Sequence, residues 1–264
     1  RGRYGAARNA VRRQADAVFV RLPAVQKRLF STTLLLRGRI LIFWGINRMS
    51  GLIVLGDTNI GSTSDLYPAM RIFAAIQKSR AKCDVLSKVN TLNENDRNLL
   101  KRARIFHFGS GSLKSEPSRS KLYEAIDFAA EHNTIISYAP RIDLSQWRMR
   151  SGELCVLRSP IATADIVQLL PEELLFLTGQ SEPEAAAEVL ADQGVRLIFV
   201  MLNDGVLVQF GREQRMFPSN GICDSDVFFG EMLGRIADAK RPLRQMSTDD
   251  IMKWTESVIA FSCK

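Results

Sequence analysis

Histidine and cysteine are scarce in this sequence, at two and four residues among 264. The cysteines, Cys83, Cys155, Cys223 and Cys263, lie far apart and form no CxxC pair. With only His107 and His132 beside them, they argue against a zinc site and for a reduced compartment. Long apolar runs are missing too. The most apolar window, Leu34 to Ile46, is interrupted by Arg37 and Arg39 and is too short to span a bilayer, so no membrane span is expected. No secretory signal is visible. Acids are nearly absent from one end: residues 1–50 hold eleven Arg or Lys against the single acid Asp16.

What is present is ordinary for a globular chain, with 46% apolar and 24% charged residues. At 29.6 kDa it can bury a substantial core as one large domain, or as one domain with a small appendage. The expected division is a basic N-terminal segment over 1–50, containing an atypical lid or strand region, and an α/β domain over 51–264. A net charge of +8 and a pI near 9.6 allow a nucleic-acid or acidic partner. Arg1 to Ser31 is Arg-rich and rich in small residues, which fits either an organelle presequence or a basic solvated surface, the second being the plainer reading. The chain is expected to be intracellular, in a plastid or mitochondrion, with the cytoplasm as the alternative.

Leu34 to Ile46 reads as one or two strands and Leu52 to Leu55 as another, with Gly56-Asp57 as a turn. Asp57, Asn59 and Asp65 are polar-pocket candidates or turn residues. Ala69 to Ile76 fits a strand or a short helix. Glu94 to Lys101 reads as a helix capped by Asn93, with Asp96 three residues later. From Arg104 the pattern is regular. Strands are expected at 105–108, 134–138, 164–169, 195–201 and 206–210, and helices over 117–131, 171–178 and 184–192, the second stopped by Gly179.

Short apolar strands alternating with helices point to βαβ units on a parallel sheet. Ligands in such sheets bind beyond the carboxyl ends of the strands. The candidates there are Gly109 and Ser110, Arg141 and Asp143, Glu172 and Glu173, Asn203 and Asp204, and Asp224 to Asp226. The last set leads from a polar loop into the helical pattern Val227, Phe228, Phe229, Met232, Leu233, Ile236. A helix N-terminus after such a loop can hold phosphate on its backbone N–H groups, yet Asp224 and Asp226 place negative charge there. For Asp226 the structural alternative is a helix N-cap. For Glu173 it is a first-turn acid favoured by the helix dipole. His107 reads as a hydrogen-bonded sheet residue and Trp147 as packing.

The run Ala103-Arg-Ile-Phe-His-Phe-Gly-Ser110, with Leu113, Glu116, Pro117, Ser118, Arg119 and Ser120, resembles fructokinases of the ribokinase-like (PfkB) carbohydrate kinase family. So does Ala164-Asp-Ile-Val-Gln-Leu-Leu-Pro-Glu-Glu-Leu-Leu-Phe-Leu-Thr-Gly179. Ile198 to Gly205 looks like the family's strand and glycine turn, and Asp226 with Phe228 and Gly230 like the end of its C-terminal signature. The likeness covers roughly residues 81 to 260. It implies a three-layer ribokinase-like α/β fold with a mostly parallel central sheet and a reduced or atypical β lid.

The reaction implied is transfer of the γ-phosphoryl group of Mg-ATP to a sugar hydroxyl. Asp226 takes the place of the catalytic base, Cys223, Asp224 and Ser225 that of the anion hole, and Glu173 that of the acid acting on magnesium. Asn203 and Gly205 fall at the nucleotide turn, and Asn9, Gly109 and Ser110 at the sugar site. The sequence departs from the family pattern at several of these points. Cys223, Asp224 and Ser225 replace Gly, Ala and Gly, Leu170 replaces the Asn or Ser of the magnesium element, and Ala139 and Arg141 replace Asp and Asn.

Three functions therefore fit. One is a fructokinase-like protein with impaired catalysis, acting as a structural or regulatory subunit with protein partners in a larger assembly, as the resemblance implies for members known in plastid transcription assemblies. Another is an active ATP-dependent sugar kinase. The third is a nucleic-acid-associated subunit using the basic N-terminus.

Overall fold

The computed structural model describes residues 34–36, 39–41, 51–55, 68–76, 82–86, 91–144, 147–148, 150–219, 221, 223–239 and 241–262. Arg1 to Ser31, Asn9 and the Asp57, Asn59, Asp65 set lie outside them. Along the chain two units separate, residues 1–47 and 48–264. Within the first, the described residues form an antiparallel hairpin, β1 (Leu34–Leu36) with β2 (Arg39–Leu41), in which Leu35 stands opposite Ile40.

The second unit is built on an eight-stranded sheet. Its strands are β3 (Gly51–Leu55), β4 (Lys82–Val85), β5 (Ile105–Phe108), β6 (Ile135–Tyr138), β7 (Ile166–Leu169), β8 (Leu197–Leu202), β9 (Gly205–Phe210) and β10 (Glu213–Pro218). They lie in the order β10-β9-β8-β7-β6-β5-β3-β4. From β4 to β8 every pairing is parallel; β9 and β10 are added antiparallel. The helices are α1 (Pro68–Ile76), α2 (Glu94–Arg102), α3 (Ser118–Glu131), α4 (Ser151–Arg158), α5 (Leu174–Thr178), α6 (Pro183–Asp192), α7 (Ser225–Asp238) and α8 (Thr248–Ser262).

The strand sequences explain the three layers. Along β8, Ile198 and Val200 enter one apolar cluster while Leu197, Phe199 and Met201 enter the other, the period-two alternation of a strand covered on both faces. The first cluster gathers Leu100 of α2, Leu122 and Ile126 of α3, Leu157 of α4 and Leu190 of α6. The second gathers Ile72 and Ile76 of α1, Phe228, Phe229 and Leu233 of α7, and Ile251 of α8. This is the expected three-layer α/β fold with a mostly parallel sheet.

Local signals fix several boundaries. Asn93 caps α2 by accepting from Asp96 N at 2.8 Å, in a capping box completed by the Asp96 side chain. Asp96 also meets Lys121 of α3 at 3.0 Å, both side chains nearly fully buried. Gly179 ends α5 with φ +79°, a value glycine takes without a Cβ clash. The segment 68–76, open between strand and helix in the sequence, is helical. Trp147 is buried in the first cluster, as packing requires.

Four elements have no counterpart in the sequence reading: β4, β10, α4 and α8. β10 is an edge strand paired only with β9, and Phe217 is its one buried side chain. An edge carries mixed polarity, so no apolar run announces it. Among the described residues no helix is long and apolar enough to cross a membrane.

Candidate active site at the start of α7

The segment after β6 and strand β7 both reach the first turn of α7, through Arg141 and Gln168, and the segment after β5 lies beside the first of these. After β5, a Cβ on Gly109 would lie 3.2 Å from Ala139 O, and Ser110 N donates to Pro140 O at 2.8 Å. The segments following β5 and β6 are thereby held side by side, and Ser110 is buried between them. Arg141 follows Pro140 with φ +51°, in the left-handed region that side chains rarely favour. Its Nη2 donates to Gln168 Oε1 of β7 at 2.8 Å and lies 2.6 Å from Asp226 Oδ1 of α7. That second contact is an ion pair poorly aligned for a hydrogen bond, and the buried Arg141 Nε makes none.

Asp224, not Asp226, is the N-cap of α7. Its backbone is extended, at φ −68° and ψ 106°, so its side chain reaches forward. Oδ1 accepts from Asp226 N and Val227 N, each at 3.1 Å. Oδ2 pairs with the guanidinium of Arg71 from α1. Asp226 falls inside the first turn with its carboxylate buried beside Arg141. Arg71 Nη1 also reaches it, at 3.5 Å. Two acids and two guanidinium groups thus alternate around the helix start.

Burial pushes the Asp226 carboxyl above the usual range, against the pull of Arg141 and Arg71, with Asp224 adding to the rise. Glu173 is 1% exposed, and its oxygens accept from Ile142 N at 2.7 Å and Leu170 N at 2.9 Å. Its carboxyl is also raised by burial, despite those donors and Arg141. His107, within β5, pairs with Ser137 Oγ at 3.1 Å and meets Phe229 edge-on at 5.5 Å. Burial, then the Arg141 charge, lower its pKa to about 3. It is a neutral sheet residue, as its place within a strand predicts.

Asn203 and Gly205 stand at the β8–β9 turn, where Leu202 pairs with Gly205 and Ser219 N donates to Asp204 O at 2.8 Å. That bond ties the turn to the segment leading toward α7. Cys223 is part-buried beside the second cluster and is disulfide-bonded, while Cys83 and Cys155 are free thiols. Sequence reasoning passed over Arg71 and Gln168. Gln168 had a signal, a lone amide inside the apolar run 166–170; Arg71 had none, since only the packing of α1 brings it to α7.

Magnesium is commonly held by one or two carboxylates together with substrate phosphates, but the oxygens of Asp224 and Asp226 are engaged by Arg71, Arg141 and the cap N–H groups, so this pair is not free to hold it. Among the described residues there is no cluster of three or more acids, histidines or cysteines placed to hold a metal ion by itself. A phosphate at the helix start would need the N–H groups of Asp226 and Val227, which the Asp224 side chain occupies.

No protein-family model matches the chain. It is 31% identical to fructokinase-1 of Oryza sativa subsp. japonica over 168 residues, covering 60% of this chain and 52% of that protein. It is 32% identical to fructokinase-1 of Zea mays over 176 residues, covering 64% and 53%. The chain therefore spans about half the length of these curated relatives.

Among solved structures, fructokinase from Vibrio cholerae O395 bound to fructose, ADP and calcium ion superposes with a TM-score of 0.62 at 18% identity, covering 83% of this chain and 94% of that one. Aminoimidazole riboside kinase from Salmonella enterica, complexed with aminoimidazole riboside and an ATP analog, gives 0.63 at 15%, covering 81% and 92%. The fold is that of ribokinase-like (PfkB) carbohydrate kinases. In sequence the chain is fructokinase-like.

Proposed function

We propose that this chain carries a fructokinase-like sugar kinase site, transferring the γ-phosphoryl group of Mg-ATP to a sugar hydroxyl. The observation that supports it most is the placement of Asp226: a buried carboxylate in the first turn of α7, at the carboxyl ends of the parallel strands where ligands of such sheets bind. Curated relatives named fructokinases support the sugar class. Asp226 would take the proton of the attacking hydroxyl as the new oxygen–phosphorus bond forms and the bond from the γ-phosphorus to the ADP oxygen breaks, ADP leaving. When bound, magnesium would neutralise phosphate charge. Glu173 would act indirectly, fixing the loops at Ile142 and Leu170. Gly109 and Ser110 would face the sugar, and Asn203 and Gly205 the nucleotide.

A second reading, a catalytically impaired protein serving as a structural or regulatory subunit, is favoured by the Asp224 side chain seated on the two N–H groups. The readings separate in one assay on the full chain. Fructose-dependent ADP release from Mg-ATP, abolished by Asp226→Asn, supports the kinase. No release from the wild type, with release gained when Cys223-Asp224-Ser225 is replaced by Gly-Ala-Gly, supports the impaired protein.

A further inference from the structure

Gln168 is fully buried in β7 between Val167 and Leu169, themselves fully buried. An amide in such a place is costly without partners, and this one has a partner at each end. Oε1 accepts from Arg141 Nη2 at 2.8 Å, and Nε2 donates to Ser225 O at 2.9 Å. A guanidinium only donates and a carbonyl only accepts, so the amide has one possible orientation. A single side chain therefore grips the segment after β6 and the first residue of α7, which flank Asp226 on either side.

We propose that Gln168 is a positioning residue for Asp226: it holds the Arg141 guanidinium against the carboxylate and the start of α7 against the sheet, so it decides where the carboxylate lies and how far its charge is compensated. This deepens the kinase reading and rests on it for turnover, but its electrostatic part is readable without turnover. The charged groups facing Asp226 are Arg141 from the β6 side, Arg71 from α1 and Asp224 from the cap. Glu173 and His107 act on Arg141. Arg71 is 44% exposed and anchored to Asp224, which leaves Arg141, 10% exposed, as the less screened cation. Leucine at 168 would fill the strand yet free the guanidinium. Glutamate would accept from Arg141 but set a carboxylate against Ser225 O and compete with Asp226 for the cation.

The test is a carbon-13 NMR titration of side-chain carboxyls in the full chain, with Asp226 assigned by its loss in Asp226→Asn. In Gln168→Leu the Asp226 midpoint should rise by about half a pH unit or more, because the compensating charge is no longer held in place. Gln209→Leu is the control. It removes another buried glutamine, which on β9 bonds Gly211 O at 3.1 Å and Gln214 at 2.7 Å, and it should leave the midpoint unchanged. If Gln168→Leu fails to fold, Gln168→Met, which adds no charge, is titrated instead, and the midpoint should again rise. An unchanged midpoint in the folded Gln168 variant, or an equal rise in Gln209→Leu, overturns the proposal. If the wild type phosphorylates fructose, the pH profile of kcat should move with the Asp226 midpoint while KM for fructose holds. If it does not phosphorylate, the kinase reading fails and the titration still decides the role of Gln168.

Discussion

Arg141 meets Asp226 across 2.6 Å from a backbone conformation, φ +51°, that a residue with a side chain adopts only when its surroundings impose it. The surroundings here are the Ser110 bond to Pro140 O on one side and Gln168 on the other. Both ionic side chains are largely buried, so neither is well solvated if the other is removed.

Arg141→Met should therefore destabilise the fold by about 3 kcal/mol near neutral pH, the scale of breaking a buried pair from one side. Protonation of Asp226 relieves the loss, so the difference from wild type should shrink as pH falls. Urea unfolding at neutral and mildly acidic pH measures both, and a difference independent of pH would count against the ion pair as its cause.

Asp224→Ala should cost about 1 kcal/mol by removing the cap of α7. The same change exposes the N–H groups of Asp226 and Val227, so affinity for inorganic phosphate or Mg-ATP should rise. Calorimetric titration of wild type and variant checks this; weaker anion binding in the variant would show that Asp224 does not block the cradle.

His107 gives the fold a dependence on pH whose sign is fixed. Its pKa is about 3 when folded, below the ordinary value of 6.5, so between those values the unfolded chain binds more protons. Its contribution is fully present above 6.5 and lost as pH falls toward 3. The loss is on the order of 5 kcal/mol. The raised carboxyls of Asp226, Glu173 and Asp165 act oppositely, since burial opposes their ionisation and stability falls as pH rises through their folded values. Comparing wild type with His107→Gln isolates the histidine: the variant should lose less stability on acidification, measured by urea midpoints along a pH series.

Gly230→Ala should destabilise by about 1–3 kcal/mol, because overpacking here meets backbone. The new Cβ would lie 2.7 Å from Ala75 Cβ and 2.8 Å from Ile72 O, forcing α1 and α7 apart. Gly152→Ala in α4 is the contrast, since nothing lies within 4 Å of its added Cβ. It should be neutral or stabilising by a few tenths of a kcal/mol. Thermal unfolding of the two variants tests the pair.

Residue order alone determined the alternation of strands and helices from Arg104 to Phe210 apart from α4, because strands covered on both faces must be apolar throughout and helices between them must show a 3.6-residue period. It also determined the Asn93 cap and the Gly179 stop, which depend on neighbours within four positions. It brought Asp226 forward as a candidate, though it assigned the capping role to the wrong acid. Which of two aspartates reaches the free N–H groups depends on the backbone angles entering α7. The edge strands β4 and β10 left little trace, since an edge needs no apolar face.

The alternating arrangement of Asp224, Arg71, Asp226 and Arg141, with Gln168 behind it, was decided only by tertiary structure. Its members come from α1, the β6 segment, β7 and α7, from positions 71 to 226. No local pattern links residues so far apart. They meet because parallel strands carry their carboxyl ends to one side of the sheet, and because Gly230 lets α1 pack closely enough on α7 for Arg71 to reach both acids.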